Sequence, residues 1–127
     1  MQPEKTTPKP LEWVGSSKVD LAAFPSRARQ EVGYALYLAQ IGTRALKTKP
    51  LKGFGGAGVL EVVTDHDGNA YRAVYTVKFA KAIYVLHAFQ KKSKKGTSTP
   101  KPDMELIKQR LVSAAEHYER LYGSEKP

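Results

Sequence analysis

The chain has 127 residues, with 21 Lys and Arg against 12 Asp and Glu, a formal charge of +9. At 41 % hydrophobic and 26 % charged residues it has the composition of one globular domain rather than a disordered tail. No cysteine is present, which excludes a disulfide framework, a thiol nucleophile and a thiolate metal site. No run approaches the ~18 apolar residues of a membrane span, and the first ten residues lack the apolar stretch of a secretory signal, so the expected location is the cytoplasm, away from membranes.

Residues 1–10 hold three prolines and no apolar pattern, and read as a flexible leader. Leu11 to Val14 has strand character. Ser16 and Ser17, with Asp20, form a weak capping box for a short helix ending near Phe24. Pro25 suits the first turn of a second helix, in which Ala28, Val32, Ala35, Leu36 and Ala39 make one apolar stripe and Gly42 is the stop.

The Lys47 to Gly58 segment, rich in lysine and glycine, reads as a loop. It is no P-loop, because no Gly-Lys-Ser/Thr follows and a strand comes next. Val59 to Thr64 is β-branched, Asp65 to Asn69 is a turn cluster, and Ala70 to Val77 returns as the second arm of a hairpin. Ala82 to Phe89 is a third strand, completing an antiparallel meander. Pro100 and Pro102 then break structure. From Asp103 to Tyr122, Met104, Ile107, Leu111, Ala114, Tyr118 and Leu121 repeat at helical spacing, and Gly123 ends the helix. The order β, α, α, β, β, β, α is that of a single α+β domain over residues 11–123, with 124–127 as a tail.

The charge is unevenly placed. Residues 78–101 carry seven lysines and no acid, whereas the segments on either side are near neutral. Such a field attracts polyanions by releasing their counterions, so nucleic acid is the leading partner class, against the bland reading of a solvated lysine loop.

Alternation sorts the strand residues into faces. Tyr71, Ala73, Tyr75 and Val77 share one side, and Arg72, Val74 and Thr76 the other. Arg72 is costly to bury alone, so either Glu61 neutralises it or it opens onto a solvated groove. In the third strand Ile83, Val85, His87, Phe89 and Lys91 are expected on one face. A lone histidine is more often packed than catalytic, and His66 and His117 have no metal-ligand spacing. Tyr71, Tyr75, Tyr84 and Phe89 border the positive segment and have the chemistry to stack on bases, although such residues are more often core.

As a set, these residues resemble a known family. Leu51-Lys52-Gly53 with its glycine-rich loop, the Leu60 to Val62 strand, Tyr71-Arg72-Ala73-Val74-Tyr75, the Leu86-His87-Ala88-Phe89-Gln90-Lys91-Lys92-Ser93 run and Thr99-Pro100 before a helix are similar in order and spacing to the phage-related HigB-like branch of the RelE/ParE toxin superfamily. The resemblance spans about Leu11 to Tyr122.

It implies two N-terminal helices and a C-terminal helix on a small, mainly antiparallel four-stranded sheet, RelE-like and microbial-RNase-like. It also implies the toxin of a type II toxin-antitoxin pair, an mRNA interferase that enters the ribosome and cuts mRNA without metal or other cofactor, so inhibiting translation. The partner so implied is a HigA-like helix-turn-helix antitoxin, through which alone operator DNA would be bound. RNA carries its own nucleophile, so cleavage needs a positioned 2′-OH, a proton acceptor, a charge clamp and a proton donor. On that basis Arg72 is the expected transition-state clamp, His87 a proton shuttle, and Lys91 or Lys92 a phosphate clamp or alternative acid. Lys47, Lys49, Lys52, Lys94 and Lys95 would hold RNA backbone. The alternatives are a ParE-like, non-enzymatic inhibitor of DNA gyrase on the same fold, and a plain nucleic-acid-binding module without toxicity.

Overall fold

The computed structural model describes residues 7–56, 58–91 and 99–123. Eight elements follow in chain order: β1 (Leu11–Trp13), α1 (Ser17–Ala22), α2 (Ser26–Gln40), β2 (Thr48–Pro50), β3 (Val59–His66), β4 (Asn69–Thr76), β5 (Ile83–Lys91) and α3 (Lys101–Tyr122). The strands form one sheet in the order β1-β5-β4-β3-β2, with β1 parallel to β5 and the other pairs antiparallel. The α+β class expected from sequence is therefore present, with five strands rather than four.

The added strand is β2, inside the segment read as a loop. Its register sets Thr48 opposite Val62, Lys49 opposite Glu61 and Pro50 opposite Leu60. Proline and lysine obscure a strand in sequence, yet both suit a sheet edge, where an absent N–H is harmless and a charge deters further pairing. The β3–β4 hairpin closes through Asp67 and Gly68, whose φ values of 52° and 79° satisfy the positive-φ demand of a two-residue type I′ turn.

Two helix starts differ from expectation. Pro25 lies just before α2 as its N-cap, its carbonyl accepting from the Arg29 amide at 2.8 Å. Pro100 and Pro102 start α3 rather than break it, because the first-turn N–H groups have no intrahelical partner to lose. At α1, Ser16 Oγ donates to the Asp20 carboxylate at 2.7 Å and makes no side-chain cap to the backbone, so the capping box does not form.

Two apolar layers enclose the sheet. On one side the α2 stripe (Ala28, Val32, Ala35, Leu36, Ala39) with Leu21 and Phe24 packs against Leu60, Val62, Tyr71, Ala73, Tyr75, Ile83 and Val85. On the other, Ile107 and Ala114 of α3 pack with Val59, Val74, Tyr84 and Leu86. The β4 residues divide between the faces as alternation requires.

The third strand corrects the expected parity. Val74 pairs with His87 but Tyr75 pairs with Val85, so Leu86 is an extra residue in a β-bulge. Ile83 and Val85 face α2, while His87, Phe89 and Lys91 are shifted onto the α3 face beside Arg72 and Val74. The five residues expected on one face are thus split by the bulge.

Candidate nucleic-acid interface and catalytic cleft

The α3 face of β2, β3 and β4 collects the charged residues. Glu61 stands on β3, with Lys49 opposite it on the edge strand and Arg72 diagonal to it on β4. Arg72 Nη1 lies 3.2 Å from Glu61 Oε2, and both side chains are buried. The guanidinium is held by the carboxylate, which is the neutralised alternative for this arginine. Beside it a cleft of about 280 Å³ is lined by Lys49, Lys52, Glu61, Thr99 and Met104 among others. Glu61 reaches the cleft, and Arg72 sits behind it. Lys49 and Lys52 are exposed at the mouth, where their charge costs no desolvation.

Gly53 tightens one wall. Its φ of +98° is left-handed, and a Cβ there would meet Met104 Cε of α3 at 3.1 Å. A glycine lets the loop after β2 pass close under α3.

His87 links β5 to α3. Its Nε2 is 2.7 Å from Asp103 Oδ1, its ring stacks on Phe89 at 4.6 Å and 17°, and its Nδ1 is buried without a hydrogen-bond partner among the described residues. Asp103, in the first turn of α3, stands out in the sequence only as a helix start and not as a site residue. An acidic residue at an N-terminal turn looks like a partner of the helix dipole, and only the tertiary fold brings it to a histidine 16 residues earlier. Arg110 Nη1 donates to the Leu86 carbonyl at 2.9 Å, and Ser17 Oγ to the Val85 carbonyl at 3.1 Å, so the bulge preceding His87 is held from both sides of the sheet.

The other sequence candidates fall in several places. Lys91 is buried at the end of β5 on the Arg72 face, with interactions of its own. Lys47 lies across the sheet, where its Nζ is 3.4 Å from Glu31 of α2. Lys92, Lys94 and Lys95 lie outside the described residues. Tyr71, Tyr75 and Tyr84 are core residues, at 8 %, 0 % and 1 % exposure, and present no face to a base. Burial pushes the Tyr84 phenol up to about 12, with the Glu12 carboxylate adding to the shift, and its hydroxyl lies 2.7 Å from His117 Nδ1. His66 lies 3.3 Å from Asp67 at the hairpin tip. Among the described residues no cluster of three His, Asp or Glu side chains could hold a metal ion, and no helix is long and apolar enough to cross a membrane.

Comparison with known proteins follows the same lines. The fold is similar to that of the E. coli toxin RelE, seen as a free-state mutant, with a TM-score of 0.53 and 15 % identity over 85 % of this chain and 98 % of that one. A second likeness is to the toxin-antitoxin complex RelBE2 of Mycobacterium tuberculosis, at a TM-score of 0.41 and 20 % identity, covering 71 % of this chain and 99 % of that one. No curated protein sequence matches. The profile of the phage-derived Gp49-like family (DUF891) matches residues 19–112, and the RelE-type resemblance in the sequence has its counterpart in the fold. The chain belongs to the Gp49-like family of phage-derived proteins and has the RelE toxin fold.

Proposed function

We propose that this protein is the toxin of a toxin-antitoxin pair and a ribosome-dependent endoribonuclease acting on mRNA in the cytoplasm, restrained by a HigA-like helix-turn-helix antitoxin that alone contacts operator DNA. The observation that carries the reading is the cleft lined by the exposed Lys49 and Lys52 and by Glu61, whose carboxylate holds Arg72 at 3.2 Å. Two cations at a cleft mouth suit a phosphodiester backbone, and a carboxylate in the same cleft suits a 2′-OH. In the proposed step Glu61 takes the 2′-OH proton, the 2′-oxygen attacks phosphorus, and the P–O5′ bond breaks, leaving a 2′,3′-cyclic phosphate. A cation of the set Lys52, Lys91 and Lys92 protonates the leaving 5′-oxygen. As the Glu61 carboxylate is neutralised, Arg72 is released from its ion pair and its guanidinium becomes available to the phosphorane charge. No metal is required by this sequence of steps. His87 acts as a proton shuttle only if Asp103 releases its Nε2.

The test is to map RNA 5′ ends after brief induction of the wild type and of Glu61→Gln. New ends within translated messages, absent in the variant, are expected. Intact messages with a DNA-damage response would replace this reading by the second one, a non-enzymatic, ParE-like block of DNA gyrase. That second reading is favoured by one observation: Arg72 and His87 are both buried and engaged by carboxylates.

A further inference from the structure

The chemistry described above uses Glu61 and the cations of the cleft and leaves its apolar wall without a role. At about 280 Å³ the cleft lies near the small end of ligand pockets, roughly 300–1,000 Å³, so it takes one small unit and not a helix or a strand. Lys49 and Lys52 are exposed, Leu51 between them is buried at 7 % exposure, and Met104 of α3 is half-buried. Positive charge thus stands at the mouth and an apolar wall within, with the Met104 thioether as its soft, polarizable part.

Thr99 adds a polar group with no internal duty. Its Oγ1 is buried and has no hydrogen-bond partner among the described residues, and its side chain does not cap α3, whose N-cap is Pro100. The preference for extended backbone ahead of a proline accounts for a β-branched residue at 99, but valine would serve it as well. A hydroxyl shut away from water without a partner is costly to keep, and this residue lines the cleft.

We propose that Thr99 is a specificity-determining residue and that the cleft is a subsite for a single ribonucleotide, its base against Leu51 and Met104 with a polar edge at Thr99 Oγ1. Each part of a nucleotide has its counterpart: Lys49 and Lys52 for the phosphate, Glu61 for the ribose 2′-OH, and the apolar wall with its hydroxyl for the base. A hydroxyl both donates and accepts, so by turning it matches a ring nitrogen, a carbonyl or an amino group. Met104 is the flexible side chain of the wall, and its displacement opens the path to the hydroxyl. Inorganic phosphate, which has no base, reaches only the lysines. The inference rests on the RNA reading of the cleft, but concerns binding and not bond breaking.

The test titrates the full chain with the four ribonucleoside 3′-monophosphates and with inorganic phosphate, followed by amide shifts. Saturable binding of at least one nucleotide is expected, about tenfold tighter than phosphate, with shifts at Leu51, Thr99 and Met104. Thr99→Val should weaken that nucleotide about tenfold, leave phosphate binding unchanged and keep the urea midpoint at or above the wild-type value, since no internal hydrogen bond is lost. Thr99→Ser, which keeps the hydroxyl, should retain the affinity. Nucleotide binding no tighter than phosphate, wild-type affinity in Thr99→Val, or equal losses for nucleotide and phosphate would each overturn the proposal. The result is separable from that of the 5′-end map. Base-dependent binding without new ends removes cleavage and keeps the subsite, whereas new ends with unaltered nucleotide binding by Thr99→Val remove the subsite alone.

Discussion

Arg110 of α3 donates through Nη1 to the carbonyl of Leu86 at 2.9 Å, at the extra residue of the β5 bulge. Its Nη2 also reaches Ser16 Oγ at 3.1 Å, and the guanidinium lies where a Cβ on Gly15 would stand 2.8 Å away. One side chain thus joins α3, the bulge and the β1–α1 corner. Replacing it leaves a bulge carbonyl without its charged donor. Arg110→Met is expected to cost about 1–3 kcal/mol, read as a lower urea midpoint at unchanged slope. It is also expected to loosen the His87–Asp103 contact, visible as a changed His87 ring resonance. A variant with wild-type stability and an unmoved His87 signal would show that the bulge holds itself.

The Glu61–Arg72 pair serves stability and chemistry in ways that can be separated. Removing one partner leaves a buried charge uncompensated, so Arg72→Met should cost about 3–5 kcal/mol, whereas the double variant Glu61→Leu/Arg72→Met should recover most of that loss. Denaturant unfolding of the three proteins checks the cycle. If the pair also performs the reaction, the stable double variant should not arrest growth on induction. Arrest at full strength by a well-folded double variant would leave the pair a structural feature.

Much of the fold is visible in the sequence, and the exceptions share a physical cause. The apolar stripe of α2 from Ala28 to Ala39, the spacing of α3 and the Asp67-Gly68 turn are local patterns, and each lies where the pattern sets it. The bulge at Leu86 is not local: it depends on Arg110 and Ser17, distant in sequence, which bind the carbonyls around it. With one residue inserted, period-two reading after Leu86 gives the wrong face for His87, Phe89 and Lys91. The β2 edge is concealed for another reason, since lysine and proline at an edge reflect the avoidance of further pairing rather than strand propensity. In the cleft, the possible pairing of Arg72 with Glu61 follows from strand alternation, whereas Asp103 as partner of His87 follows only from the docking of α3.

Tyr84 gives the protein a dependence on alkaline pH. Its folded value of about 12 lies above the ordinary 10.0, because burial and Glu12 disfavour the phenolate. The raised value means that this stabilisation is fully present below pH 10 and is lost as pH rises through 12. Tyr84→Phe should therefore be less stable than wild type at neutral pH by about 1 kcal/mol, through loss of the hydrogen bond to His117, yet decline less steeply in alkali. Urea midpoints across the alkaline range, with tyrosinate absorbance followed in parallel, test this. Parallel stability curves for the two proteins would remove Tyr84 as the source.

Gly33 provides a stability test of the α2 helix itself. Its backbone is helical and no heavy atom lies within 4 Å of the position a Cβ would take, so the free chain has no steric reason to exclude alanine. Gly33→Ala should stabilise the isolated protein by about 0.5–1 kcal/mol, because it narrows the unfolded ensemble and favours the helix. The expected outcome is a higher thermal midpoint for the isolated protein. If Gly33→Ala fails to stabilise the free chain, the glycine has an internal role.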